Sequence, residues 1–276
     1  MMLTIIDTSD IFHRGRAVEN NMDCVISPDD LDNLPQTTAL VSSDHSATVN
    51  AHEITIITGT EVSRTALFAK MLAATVLSGG SYPFAVGMKT HLTDGKVLWI
   101  DAVNNVQDTA QLARDMKQHV NADGDHFKIA ALTALGSDQY YYENVKEVLI
   151  NTIDNFTPNL IVINDLDNLF PCITIGRARG FVEFMRHFVA ANEAAVCAIG
   201  HNLIGKVKKT TGYVGELLFP IASTVYRVCE RSKKENAITR VSCYKTFRQC
   251  PQDFSFTIND FNFPQQVLSP PQSTSS

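Results

Sequence analysis

From His52 to Gly200 the chain alternates two kinds of apolar pattern. Short apolar-rich runs read as strands: Ile54–Ile57, Lys96–Ile100, Phe127–Ala131, Leu160–Ile163, which is continuous and β-branched, and Ala195–Gly200. Runs of β-branched residues with no polar alternation are expected of strands covered on both faces. Between them, apolar residues recur three and four apart, the spacing of one helix face. Val106, Ala110, Ala113, Met116 and Val120 place a helix within 105–120, and Tyr141, Val145, Val148, Leu149 and Ile153 mark another. The segment 65–77 is apolar on nearly every side, so it is expected to be a buried helix. A fourth helix is expected over 179–191, with Phe181, Phe184, Met185 and Phe188 facing inward. After His201 the pattern turns to strands at Val225–Cys229, Ile238–Tyr244 and Phe254–Ile258. Strand–helix alternation followed by strands predicts an α/β domain: a mainly parallel sheet flanked by helices, with a C-terminal antiparallel extension.

The ends of the chain differ from this middle. Residues 1–50 are polar and acidic and lack sustained periodicity, apart from a short strand-like Met2–Ile6. They are expected to form an N-terminal arm or small subdomain, with the core domain at 51–263. The segment 264–276 is rich in Pro, Ser and Gln, a composition that predicts a disordered tail.

Composition narrows the class. The 276 residues are 45% hydrophobic and 19% charged, enough for a packed core and too apolar for wholesale disorder. No apolar stretch approaches the roughly 18 residues that span a bilayer, and the first residues lack the pattern of a secretory signal. The six cysteines, at 24, 172, 197, 229, 243 and 250, include no CxxC pair, and several sit in apolar runs as buried thiols do. A cytoplasmic protein without membrane association is the expectation.

Charge is unevenly placed. Residues 1–52 hold two Arg against eight Asp and Glu, whereas residues 171–250 carry 13 Lys and Arg against five acidic residues. An excess of this kind suits an anionic partner, although a solvated basic face would look the same.

In such sheets ligands bind at the carboxyl ends of the strands. The first strand-to-helix turn, Thr58-Gly59-Thr60-Glu61-Val62-Ser63-Arg64-Thr65, holds a Gly, a basic residue and a hydroxyl, the components of a phosphate-binding loop. It is one residue short of that pattern, lacks the second Gly, and carries Arg64 in the Lys place. The segment ITIITGTEVSRTALFAKML nevertheless resembles the phosphate-loop segment of RecA-like ATPases. The strand at 97–102 resembles the second core strand of that family, and 159–165 resembles its Walker B strand, an apolar run ending in Asp. Ala198–Asn202 resembles the strand that ends in a polar γ-phosphate sensor. Residues 242–248 and 254–258 resemble the C-terminal hairpin of the DnaB/RepA-type hexameric helicase branch. The resemblance covers about residues 50–262 and implies a RecA-like three-layer domain.

It also implies roles. Gly59, Ser63, Arg64, Thr65 and His201 would surround ATP, and Thr65 with Asp165 would hold Mg, with Asn164 and Asp167 as alternates to Asp165. If ATP is hydrolysed, Asp165 would be catalytic, and Lys245 and Arg248 would reach the nucleotide of a neighbouring subunit in a homo-oligomer. Two departures weigh against hydrolysis. The short loop closes the nest of N–H groups that holds a phosphate. The glutamate that activates water after the second strand is replaced by Val103, with Asp101 two residues away as a substitute. Asp165 would equally serve to end a strand and cap the next turn, and His201 to make a local hydrogen bond. No set of His, Cys, Asp and Glu has the spacing of a zinc site along the chain, so no structural metal is expected.

The loops that line the DNA path in RecA-like assemblies correspond to 170–180 and 202–215. They hold Arg177 and Arg179 in a Gly-flanked turn, and Lys206, Lys208 and Lys209 in GKVKKTTG, with Phe170 and Tyr213 as nearby aromatics. Closely spaced cations in Gly-bounded loops suit the backbone of single-stranded DNA. The expected function is a DNA-binding or assembly factor with lost or weak ATP hydrolysis. A working ATPase with a variant loop and a protein-interaction scaffold without nucleotide are the alternatives.

Overall fold

The computed structural model describes residues 38–43, 46–60, 64–82, 84, 87–120, 122–135, 140–170, 173–201, 212–230, 238–248 and 250–267. All belong to one compact unit, Thr38–Ser276. The strand-like Met2–Ile6 lies outside the described residues.

Strands β3 (Ile54–Gly59), β5 (Val97–Asp101), β6 (Phe127–Ala131), β7 (Leu160–Asn164), β8 (Ala195–His201) and β9 (Thr224–Glu230) run parallel. Strands β10 (Thr239–Thr246), β11 (Phe254–Ile258) and β12 (Pro264–Val267) continue the same sheet antiparallel. The order across it is β12-β11-β10-β9-β3-β8-β7-β5-β6, so the five runs expected as core strands are neighbours. The near-complete burial of β3, β5, β7 and β8 has a direct cause, because each face of the sheet meets its own core. Ile57, Trp99, Val162 and Ile199 face one core, with Phe68, Met71 and Leu72 of helix α1 (Thr65–Leu77) and Met116 of α2 (Val106–Val120). Ile56, Leu98, Ile163 and Ala198 face the other core. There they meet Val145 and Leu149 of α3 (Tyr141–Phe156), Phe181 and Met185 of α5 (Ile175–Ala191) and Leu218 of α6 (Gly212–Ile221).

Helix α1 is apolar nearly all round because it is covered on its outer side as well. A small antiparallel sheet, in the order β2-β1-β4, lies over it, built from β1 (Ala39–Ser43), β2 (Ser46–Asn50) and β4 (Met88–Lys89). Part of the stretch set apart in sequence as an acidic arm therefore enters the fold, and Val41 and Val49 are fully buried. Lys70 of α1 and Asp115 of α2 form a buried ion pair at 2.9 Å. The Lys70 ammonium also donates to the Asn262 carbonyl at 3.1 Å and sits 4.0 Å from the centre of the Phe263 ring. One side chain thus ties two helices to the C-terminal hairpin.

Two expectations are corrected. Arg177 and Arg179 lie in the first turns of α5, four residues before the expected helix start, and not in a loop. The Thr174 hydroxyl accepts from the Arg177 N–H at 3.4 Å, and Ala178, Phe181, Val182, Met185 and Val189 form an unbroken buried stripe. That stripe outweighs Gly176 and Gly180, each of which costs about 1 kcal/mol in a helix. The Pro- and Gln-rich tail does not begin at Pro264. Residues 264–267 pair with β11, Phe263 is fully buried, and the Tyr82 hydroxyl donates to the Pro264 carbonyl at 2.8 Å. Residues 268–276 lie outside the described residues. Among the described residues, no helix is long and apolar enough to cross a membrane, and Cys197, Cys229, Cys243 and Cys250 are free thiols.

Candidate functional site

The carboxyl ends of β3, β5, β7 and β8 bring the candidate residues together. Gly59 at the end of β3 is in register with His201 at the end of β8, and Asp101 of β5 with Asn164 of β7. β5, β7 and β8 end in polar residues, Asp101, Asn164 and His201, whose side chains bond to neighbouring strands and turns.

Asp101 is fully buried and its carboxylate is committed to a turn. Oδ1 accepts from the backbone N–H of Val103 at 3.1 Å and of Asn104 at 2.9 Å, and from the Asn164 amide at 3.4 Å. Oδ2 accepts from the Asn104 amide at 2.8 Å. The carboxylate offered by sequence as a substitute base thus has both oxygens occupied. Val103, in the glutamate position, is 46% exposed.

Beside it, three side chains converge. Asp165 follows β7 and caps the short helix α4 (Leu166–Leu169): Oδ1 accepts from the backbone N–H of Asn168 at 3.0 Å and from its side-chain amide at 2.9 Å. This leaves Oδ2 directed at His201 Nδ1, 3.3 Å away. Asp167 comes off α4 to the same ring nitrogen at 2.9 Å, and also accepts from the His201 backbone N–H at 3.1 Å. Asp165 is 3% exposed, and His201 and Asp167 are partly buried. The hydrogen bonds to Asp165 and then Asp167 push the imidazole up to about 9, against a smaller opposing effect of burial. Burial on its own would raise the Asp165 carboxyl, but the bonds from His201 and Asn168 together outweigh it and hold it below its ordinary range. Asp165 and His201 were named from sequence, and Asp167 only as a substitute for Asp165. The Asp165-x-Asp167 spacing was visible, but its His partner lies 34 residues beyond Asp167, and only the pairing of β7 with β8 makes them neighbours.

The phosphate-loop segment is placed less completely. Ser63 lies outside the described residues. Arg64 occupies the N-cap position of α1 with no side-chain cap bond, and Thr65 is 2% exposed. The family arrangement would have Thr65 and Asp165 hold Mg with ATP. The donor set does not fit it. Mg²⁺ demands an octahedron of oxygens, whereas Thr65 is buried and Asp165 Oδ2 faces an imidazole nitrogen.

The remaining predicted residues lie apart from this cluster. β10 runs antiparallel to β9, so Lys245 and Arg248 sit near the amino ends of the core strands, at the opposite end of the sheet. Lys245 Nζ donates to the Pro220 carbonyl at 3.0 Å, and Arg248 is ion-paired with Glu53 at 2.6 Å. Arg177 pairs with Glu143 at 2.9 Å and lies over the Tyr142 ring, while Arg179 is exposed on the same helix turn. Lys206, Lys208 and Lys209 lie outside the described residues. Phe170 is no stacking platform: it is 5% exposed and packs edge-on against Phe181. Tyr140 and Tyr213 are exposed at the amino ends of α3 and α6, the helices that come after β6 and β8.

No protein-family model matches the sequence, and no curated protein matches it. In structure the chain is similar to a KaiC-like protein of the hyperthermophilic archaeon Pyrococcus horikoshii OT3, with a TM-score of 0.57. The match covers 85% of this chain and 100% of that one, at 9% identity. The fold is therefore RecA-like: a mainly parallel sheet between helices, extended by antiparallel C-terminal strands.

Proposed function

We propose that this RecA-like domain acts in a DNA transaction (replication, recombination or mobilisation) as a binding or assembly factor, and that it turns over ATP no faster than background. The observation that carries the reading is the end of β5. General-base work needs a carboxylate placed to take a proton from the attacking water. Here the position holds Val103, and the nearby Asp101 has both oxygens bound by Val103, Asn104 and Asn164. The Asp165–His201–Asp167 cluster supports the same reading, since an imidazole stands against the Asp165 oxygen that would face the magnesium of a nucleotide. For the DNA part, Arg177 and Arg179 lie exposed at the same end of the sheet, where Tyr140 and Tyr213 are exposed as well. Cations and aromatic rings together suit single-stranded DNA.

A second reading, a protein-interaction scaffold, is favoured by Val103, Val106 and Ile175. All three are exposed aliphatic residues that follow carboxyl ends of core strands. The test is ATP turnover and nucleotide binding by the purified full chain, with and without single-stranded DNA. Turnover at background, with DNA binding that weakens as salt rises, is the expected result. Turnover of order 1 per second, abolished by Asp165→Ala, would overturn the loss of hydrolysis. No DNA binding at low salt would leave the scaffold reading in its place.

A further inference from the structure

The cluster that excludes a magnesium nucleotide has the dimensions of a different ligand. Two donors that each lie about 2.1 Å from one ion, at octahedral or tetrahedral angles to each other, are separated by roughly 3.0–3.4 Å. His201 Nδ1 is 2.9 Å from Asp167 Oδ2 and 3.3 Å from Asp165 Oδ2. The three donor atoms all lie within 4.8 Å of one another. We propose that Asp165, Asp167 and His201 form a binding site for a divalent transition-metal ion, of the zinc, manganese or cobalt class.

The donor chemistry selects the class. One imidazole nitrogen with two carboxylates suits borderline divalent ions, whereas Mg²⁺ and Ca²⁺ favour all-oxygen shells. Two carboxylates and a neutral imidazole also balance a 2+ ion, so the site would be neutral where Asp165 is almost fully buried. The ion replaces the proton that the imidazole shares with the carboxylates, and that proton leaves to solvent. Outer contacts are already in place to hold the donors still. Asp165 Oδ1 is bound by the Asn168 N–H and amide, which turns Oδ2 inward, and Asp167 Oδ2 is fixed by the His201 backbone N–H. The donors come from the end of β7, from α4 and from the end of β8, so the sheet pairing positions them before any ion arrives. The set differs from the magnesium arrangement that the family resemblance implies: Thr65 takes no part, and no nucleotide is needed.

The inference stands apart from the functional reading above, because it is measured without ATP or DNA. The full chain, stripped with a chelator that is then removed, is titrated calorimetrically with ZnCl₂, MnCl₂ and MgCl₂, and with CoCl₂ followed by visible absorption. One ion per chain is expected for zinc, manganese and cobalt, with no binding of magnesium at the same concentrations. His201→Gln and Asp167→Asn keep hydrogen-bonding groups of similar size and are expected to retain the far-ultraviolet circular dichroism. Each should weaken binding at least tenfold. His201→Gln should also change the visible spectrum of any cobalt still bound. Absence of binding by the wild type overturns the proposal and leaves the cluster as a closed ion pair. Binding that both variants leave unchanged overturns it too, by placing the ion elsewhere.

Discussion

At the scale of single residues, the buried ion pair between Lys70 and Asp115 carries the clearest energetic consequence. Burial lowers the Lys70 ammonium from its ordinary range, and the hydrogen bond and charge of Asp115 only partly restore it. A charge kept in such a place depends on its partner, so removal of one member strands the other. Lys70→Met is expected to cost about 3–5 kcal/mol in denaturant unfolding, and Lys70→Met with Asp115→Leu together much less, because no unpaired charge remains. A double variant as unstable as the single one would mean that the Asn262 and Phe263 contacts of Lys70, not its charge pairing, hold the helices together. Nothing in the sequence pointed to this pair. Lys70 falls within an apolar helix and Asp115 lies 45 residues away, so the pairing appears only once α1 and α2 are packed side by side. The candidate site was half legible for a similar reason. Asp165 and His201 could be read because each ends an apolar strand. Their convergence on one another, and the locking of Asp101 by Asn104 and Asn164, depend on which strands are neighbours.

At the scale of elements, legibility followed burial. β5, β7 and β8 were visible because a strand covered on both faces leaves a nearly unbroken apolar run, and α1 because it is covered on nearly all sides; β6, at the sheet edge, is broken by the exposed Lys128. Elements with a weaker signature were lost. β4 is two residues long, β1 and β2 are five residues each with Ser, Thr and Asn among their apolar positions, and β12 has one Pro, two Gln and one Val. Composition misled at β12 because its stability comes from the sheet edge it joins and from Phe263 just before it. Phe263 is fully buried against α1 and lies within ring-contact distance of Phe84 and His119. Phe263→Ala is expected to destabilise the fold by about 3–5 kcal/mol, as loss of a large core side chain does. Thermal unfolding monitored by circular dichroism checks this. A change below about 1 kcal/mol would show that the C-terminal hairpin adds little to the core.

At the scale of the whole molecule, charge is the feature that sequence displays best and structure explains least. Among the described residues, the basic residues of 171–250 lie on α5, β9 and β10 and just after β10, and part of their charge is neutralised locally. Arg177 pairs with Glu143, Arg186 with Glu183, Arg240 with Asp253, and Arg248 with Glu53. An ion pair exposed to solvent is worth little, so a polyanion can compete for these cations. The acidic residues of the chain's first 52 positions can compete for the same cations. Because β1 starts at Ala39 and packs into the fold, the informative truncation ends before it. A chain lacking residues 1–37 removes seven Asp and Glu and both early Arg, a net loss of five negative charges, and leaves both sheets whole. If the basic surface binds single-stranded DNA, this truncation should tighten binding at low salt and keep the salt dependence, whose slope is about −0.7 per phosphate neutralised. Arg177→Ala with Arg179→Ala should then flatten that slope by about 1.4 and weaken all sequences alike, since backbone contacts carry no base preference. Fluorescence anisotropy with two unrelated oligonucleotides across a salt series measures both effects. A truncated chain that binds no better than the full one, with a slope untouched by the Arg substitutions, would remove α5 from the DNA reading and leave its exposed face to a protein partner.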